Sequence, residues 1–351
     1  MLTIDGSYGE GGGQVLRTSL ALSALLGREL RIEQIRAGRS KPGLAPQHLA
    51  SVHATAGICG ATVTGDRLGS QELTFIPGEL RGGRHRLDVG TAGATTLVLQ
   101  TILPALLFAA DPSSVQIHGG TNVPWSPPQE YIAQVFLPAL AAMGAEVRLD
   151  CMVPGFYPKG GGCIEARMTP LSAALTPLEW SQRGQLRSLV AYSVAEARLP
   201  GHILKRQVEG ARAALGSIGL RAETWHPHTL SPGTMLTIAA SFERGRGGFS
   251  AIGMRGKSAE EVGAEAGERA ASFLGGSASV DRHLGDQLLL YAALAGGTTS
   301  FVTEEVTEHL RTNAWVIREF LEVQIEINED TGVVTVAGLG MPAAARPGRE
   351  R

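Results

Sequence analysis

Glycine constrains this chain more than any other residue: it fills 46 of 351 positions, against an average share of roughly 7%. A residue without Cβ loses the most backbone freedom on folding, so glycine at this density belongs where the main chain turns tightly or approaches another group. Two clusters show the pattern. Gly6-Ser7-Tyr8-Gly9-Glu10-Gly11-Gly12-Gly13 and Gly155-Phe156-Tyr157-Pro158-Lys159-Gly160-Gly161-Gly162 share a glycine, a tyrosine and a glycine triplet at identical spacing. The match reads as an internal repeat, although a glycine-rich sheet edge gives a similar pattern.

Charge and apolar content narrow the class. With 31 basic and 33 acidic side chains the formal charge is -2, which excludes a polybasic or acidic tail as the main device. An apolar share of 43% is enough for real cores, and the length predicts two domains. The N-terminus lacks the basic and apolar regions of a secretory signal. The apolar run Leu97 to Ala110 is interrupted by Gln100, Thr101 and Pro104 and falls short of the ~20 residues of a membrane span. Cys59, Cys151 and Cys163 are widely spaced and read as core residues of a soluble, cytoplasmic protein.

Periodicity predicts alternating elements. Helices are expected at Val15–Leu26, near Gln47–Cys59, from about Ala94, over Pro127–Met143, over His202–Ile218 and over Ala259–Leu274. Strands are expected at Leu30–Ile35, Ala61–Val63, Leu73–Ile76 and Leu186–Ala195. Together they predict an α/β (α+β) layered fold with sheets covered by helices on one face. The glycine-loop pattern fades over residues 186–275 and a loop-plus-helix style resumes at His283, so a smaller α/β domain inserted into a large one (1–185 and 276–339) is expected. Residues 340–351, rich in Pro, Ala, Gly and Arg, are expected to be a disordered tail.

The residues that could carry chemistry are scattered. The turn Gly9 to Gln14, between a strand and a helix, offers backbone N–H groups to phosphate oxygens, yet it serves equally as a structural turn. Glu10 within it suits a divalent cation that would offset phosphate charge. Arg36, Arg39 and Lys41 share one short loop, and guanidinium forks there suit phosphate, as solvated surface would also explain them. Arg17, one turn into the following helix, points to the same region if the loops meet. His309 lies in the first turn of a helix with Thr307 as candidate N-cap. A helix N-terminus disfavours imidazolium, leaving a neutral, nucleophilic ring, or a partly buried capping histidine. His226-Pro227-His228 reads as a polar turn. Asp286, in His283-Leu284-Gly285-Asp286-Gln287, suits a helix cap or a ribose hydroxyl. Gly119 to Pro128, with Trp125 and three prolines, is a rigid loop that could sandwich a base or simply pack.

Taken in order, GEGGGQVLRTSLALS, IRAGRSKPGL followed by Gln47-His48, GTAGATTLVLQTILPAL, GFYPKGGG and the late EHLRTN resemble the RNA 3′-terminal phosphate cyclase family over nearly the whole chain. The resemblance implies a large domain of repeated βαβαββ-like units with a smaller inserted α/β domain. It implies an ATP-dependent ligase that converts an RNA 3′-phosphate to a 2′,3′-cyclic phosphate with a divalent metal (Mg or Mn). By the same resemblance His309 is the adenylated nucleophile and Glu10 the metal carboxylate. Arg17, Arg36, Arg39 and Gln47 surround phosphates, and Gln100, Pro127, Tyr131, His283, Leu284, Gly285, Asp286 and Gln287 form the nucleotide pocket. His283 stands where a larger aromatic is expected under adenine. The RNA contact is expected to be local to the 3′ end, with no membrane and no obligate protein partner. A cyclase-like scaffold without catalysis would be expected to lose His309, which this chain retains.

Overall fold

The computed structural model describes residues 1–343. Its first unit runs β1 (Leu2–Asp5), α1 (Gly13–Leu26), β2 (Leu30–Glu33), α2 (Pro46–Cys59), β3 (Thr62–Thr64) and β4 (Leu73–Ile76). The sheet order is β1-β2-β4-β3, with β1 parallel to β2 and the other pairs antiparallel. A second unit repeats this plan: β5 (Gly83–Asp88), α3 (Thr95–Leu107), β6 (Ser113–Gly119), a broken helix, β7 (Val147–Val153) and β8 (Gly162–Met168), in the order β5-β6-β8-β7. The broken helix comprises α4 (Gln129–Tyr131), a π-helical stretch over Ile132–Phe136 and α5 (Leu137–Ala142). Pro138, the second residue of α5, lacks the N–H that a regular ladder would aim at Gln134, which accounts for the irregular turn.

A third unit opens with β9 (Glu179–Trp180) and is then interrupted. The interruption holds β10 (Leu186–Ala195), α6 (His202–Leu215), β11 (Arg221–Trp225), β12 (Thr234–Phe242), β13 (Gly245–Ile252) and α7 (Ala259–Gly275). It forms its own sheet, β11-β10-β12-β13, over a separate apolar cluster that includes Leu189, Val208, Ile238, Phe249 and Phe273. The third unit then resumes with α8 (Arg282–Leu294), β14 (Thr298–Val302), α9 (Glu308–Phe320), β15 (Gln324–Ile327) and β16 (Val333–Ala337). Its sheet order, β9-β14-β16-β15, is that of the other two. Arg183 stands where the interruption begins and donates to the carbonyls of Phe273, Leu274 and Ala278, where it ends. Its guanidinium also lies 4.5 Å over the Phe242 ring, a cation–π contact.

One core joins the three units because their helices face inward: α1 packs against α2, α3 and α9, and α8 against α9. Helix α3 is buried all round, as its apolar sequence requires, with Gln100 as the one position not fully covered.

Several expected boundaries move for local reasons. The strand expected through Ile35 stops at Glu33, because Gln34 and Arg36 adopt φ of 52° and 55°, a conformation outside the β region. The helix expected through Ile218 stops at Leu215, ended by Gly216 at φ 62°. Of the tail expected from residue 340, residues 344–351 lie outside the described residues. The amides of Gly340 and Met341 donate to the carbonyls of Ala295 and Leu294.

Candidate active site around His309

The first glycine turn connects β1 to α1, and three helices converge on it. A side chain at Gly9 would collide with the Thr312 hydroxyl on α9. A Cβ at Gly13 would lie 2.5 Å from His48 Nε2 on α2 and 2.6 Å from the Arg17 guanidinium. The turn is glycine because there is no room for more. No side chain caps α1 at Gly12, so its first amides keep their hydrogens and the positive end of the helix faces the turn.

His309 is the second residue of α9, whose N-cap Thr307 accepts from the Leu310 amide at 3.1 Å. Its side chain is 44% exposed, and Nδ1 lies 3.6 Å from Glu10 Oε1. Desolvation pushes the imidazole pKa below its ordinary value; Glu10 opposes the shift, while Arg17 and Arg39 add to it. Glu10 also pairs with Arg39 at 3.3 Å. Arg17, open to the site at one edge but otherwise enclosed, is pulled down to about 10 by desolvation, against the field of Asp286. The structure thus gathers His309, Glu10, Arg17 and Arg39 at one turn. Arg36 is partly committed elsewhere, donating to the Gly43 carbonyl at 2.8 Å. Lys41 is exposed.

The nucleotide-pocket candidates divide. Gln100 sits one turn beyond Thr96 on α3, and the Thr96 hydroxyl donates to the Pro127 carbonyl at 2.8 Å, so Gln100 and Pro127 border the same face. The Tyr131 ring is buried, and its hydroxyl donates to Asp281 at 3.0 Å. It therefore supports the floor and offers no free face. Asp281 caps α8 by accepting from the His283 and Leu284 amides. The Leu284 side chain is 0% exposed within the core, and Gly285 packs close to the Thr303 hydroxyl. His283 is exposed, and its ring is held neutral down to about 4 by desolvation and by the neighbouring charges of Arg282 and His309. Asp286, 8% exposed, is pushed well above the carboxylate range by burial and by Asp281, with Arg17 opposing. The Gln287 amide oxygen is buried without a partner. Gln47 packs through its Cβ where a side chain on Gly93 would sit, 3.1 Å away, in the turn Gly90 to Gly93.

Three residues that the sequence reading did not single out hold this arrangement. Asn313 accepts from Gln14 at 2.8 Å and from Thr18 at 2.7 Å, and donates to the Asp286 carbonyl at 2.9 Å. It thereby ties α1, α8 and α9 together. Gln14 in turn accepts from Arg17 at 2.8 Å. His48 Nδ1 accepts from the Ala45 amide at 3.1 Å, which places its proton on Nε2, toward Gly13. Burial, with Arg17 and Arg36, pushes its pKa down to about 3. Asn313 had a readable signal: it follows His309 by four residues and so shares its helix face.

Comparison with known proteins identifies the family. The family model described as RNA 3′-terminal phosphate cyclase matches residues 8–327. The chain is 45% identical to the RNA 3′-terminal phosphate cyclase of Archaeoglobus fulgidus over 92% of its length and 96% of that protein's. It is 44% identical to the protein of the same name from Methylococcus capsulatus, covering 96% of this chain and 97% of the relative. Among solved structures, the enolpyruvyl transferase NikO from Streptomyces tendae aligns at 13% identity and a TM-score of 0.37, covering 96% of this chain and 48% of its own. That likeness is too slight to bear on the fold. With a family match through every turn and helix just described, and relatives this similar from end to end, the chain belongs to the RNA 3′-terminal phosphate cyclase family.

Proposed function

We propose that this protein converts an RNA 3′-phosphate to a 2′,3′-cyclic phosphate at the expense of ATP, through a histidine–AMP and an RNA-ppA intermediate. The observation that carries the reading is a depressed imidazole at a helix start, 3.6 Å from a carboxylate and beside two arginines and an uncapped helix end. Glu10, nearest Nδ1, favours the proton there and leaves the Nε2 lone pair free. Nε2 attacks the α-phosphorus of ATP, an N–P bond forms, and pyrophosphate departs. Arg17 and Arg39 offset the charge on the phosphate oxygens.

A terminal phosphate oxygen of the RNA then attacks the same phosphorus and the N–P bond breaks, giving RNA-ppA. The neighbouring 2′-hydroxyl attacks the 3′-phosphorus, and AMP leaves. That last step is intramolecular, so proximity lowers its barrier by about 7 to 11 kcal/mol.

The residues present fit a hard divalent cation that takes most of its ligands from phosphate and water. Glu10 is a half-exposed carboxylate that would share its charge between the ion and its neighbours Arg39 and His309, while no group of three or more metal-ligating side chains stands ready among the described residues. Such an ion would supply charge neutralisation at the phosphates. Incubation with α-labelled ATP tests the reading. The expected result is acid-labile label on the wild type and none on His309→Ala; equal labelling of both removes the proposed nucleophile.

A further inference from the structure

The second glycine turn takes no part in the site around His309, yet it is built to present side chains outward. At the position of Tyr8 it carries Tyr157, 69% exposed, and where the first turn has the acid Glu10 it has the base Lys159, also exposed. Beside it stands Trp125, 98% exposed and held at φ 65°. A left-handed backbone is an outlier for so bulky a residue, and with the indole in solvent no packing within the fold offsets the strain. Backbone strain of this kind collects at functional sites.

The loops that carry these residues are tied together. The amides of Thr121 and Asn122 donate to the Gly155 carbonyl at 2.9 and 3.1 Å, and the Gly155 amide donates back to the Thr121 hydroxyl at 3.0 Å. The Trp125 loop is further closed by Ser126 donating to the Val123 carbonyl, so the indole is displayed from a rigid support. The second turn also packs, through buried groups, toward the catalytic turn. A Cβ at Gly160 would lie 2.9 Å from the Ala92 backbone, within the Gly90–Gly93 turn. That turn touches Gln47, and the adjacent His48 faces Gly13.

We propose that Trp125, Tyr157 and Lys159 form a holding surface for single-stranded RNA, gripping nucleotides upstream of the 3′ end whose phosphate is delivered to His309. The assignment rests on the cyclase reading for the direction of the strand. Flat rings accept any base by stacking, and a lysine offsets the phosphates between them. The reversal of charge from Glu10 to Lys159 suits a turn that meets a polyanion without handling a metal. A protein partner would also meet exposed rings, but the exposed Lys159 on the same turn as Tyr157 favours the nucleic acid.

Binding without ATP separates this from catalysis. Fluorescence anisotropy would compare a 3′-phosphorylated RNA of about ten nucleotides with a dinucleotide 3′-phosphate. Trp125→Ala and Tyr157→Ala should each weaken the longer RNA by roughly fivefold to a hundredfold and leave the dinucleotide unchanged, and Trp125→Phe should recover most of the loss. Lys159→Ala should reduce the salt dependence by about one phosphate contact. Unchanged affinity for the longer RNA, or equal loss for both ligands, would overturn the proposal and leave the rings to another partner. Wild type that binds the long RNA as expected but never labels at His309 would sink the cyclase reading and keep the surface.

Discussion

The two glycine turns share a sequence pattern and differ in what their missing side chains make room for. In the first, the space at Gly9 and Gly13 is taken by the ends of side chains, Thr312, His48 and Arg17. In the second, the space at Gly162 is taken by main chain: a Cβ there would lie 2.5 Å from the Gly155 nitrogen. The contrast is sharpest at the aligned pair Gly13 and Gly162, since Gly6 and Gly11 of the first turn also lie against backbone and Gly161 of the second lies against the Leu230 side chain. A repeated motif therefore reports a shared fold, and only the neighbours decide whether it is also a site.

That contrast can be broken most sharply by adding one methyl group to each turn. Gly162→Ala pushes against backbone that cannot swing aside, and it should cost about 4 kcal/mol or more, read as a collapse of the thermal melt. Gly13→Ala meets side chains that can move, so the protein should fold, while misplacement of Arg17 and His48 lowers self-labelling from ATP roughly a hundredfold. Labelling equal to wild type in a folded Gly13→Ala protein would dissolve the distinction.

A smaller effect is expected from Glu10→Gln. The carboxylate favours the charged imidazolium, so its loss should move the acid limb of the labelling rate to lower pH and raise the metal concentration needed for half-maximal labelling about tenfold or more. A profile unchanged in both respects would separate Glu10 from both His309 and the cation.

The last effect is confined to acid pH and concerns stability. His48 has a folded pKa of about 3 against an ordinary 6.5, so the unfolded chain binds the extra proton first. Its contribution is full above about pH 6.5 and is lost as pH falls toward 3. His48→Gln should flatten the melting temperature against pH across that window, and an unaltered slope would mean the ring is not buried neutral.

Much of the fold was legible because helices such as Val15–Leu26 and Ala259–Leu274 carry their period and their stops in the sequence. The third unit was not. It lacks a glycine triplet, and its two-residue strand at Glu179–Trp180 is too short for any periodicity to register. At the site, Glu10 and Arg39 could be suspected as charges in loops, and Arg17 and His309 from their places near helix starts, although each position also allowed a structural reading. The orientations of Tyr131 and Leu284 could not be read, since a pocket's rim and its floor alternate along one helix and only packing decides which is which. His48 was hidden for a related reason: a histidine in a regular helical pattern announces neither its burial nor the backbone amide that fixes its tautomer.

Arg183 touches chain on both sides of the interruption, so the detour leaves and rejoins the third unit at a single seam. During synthesis β9 must wait for residues 181–297 before its neighbour β14 exists, and the last sheet is a late assembly whatever the speed of the first two. The same seam sets where the detour must close, and β12 and β13 then seat it against the broken helix of the second unit.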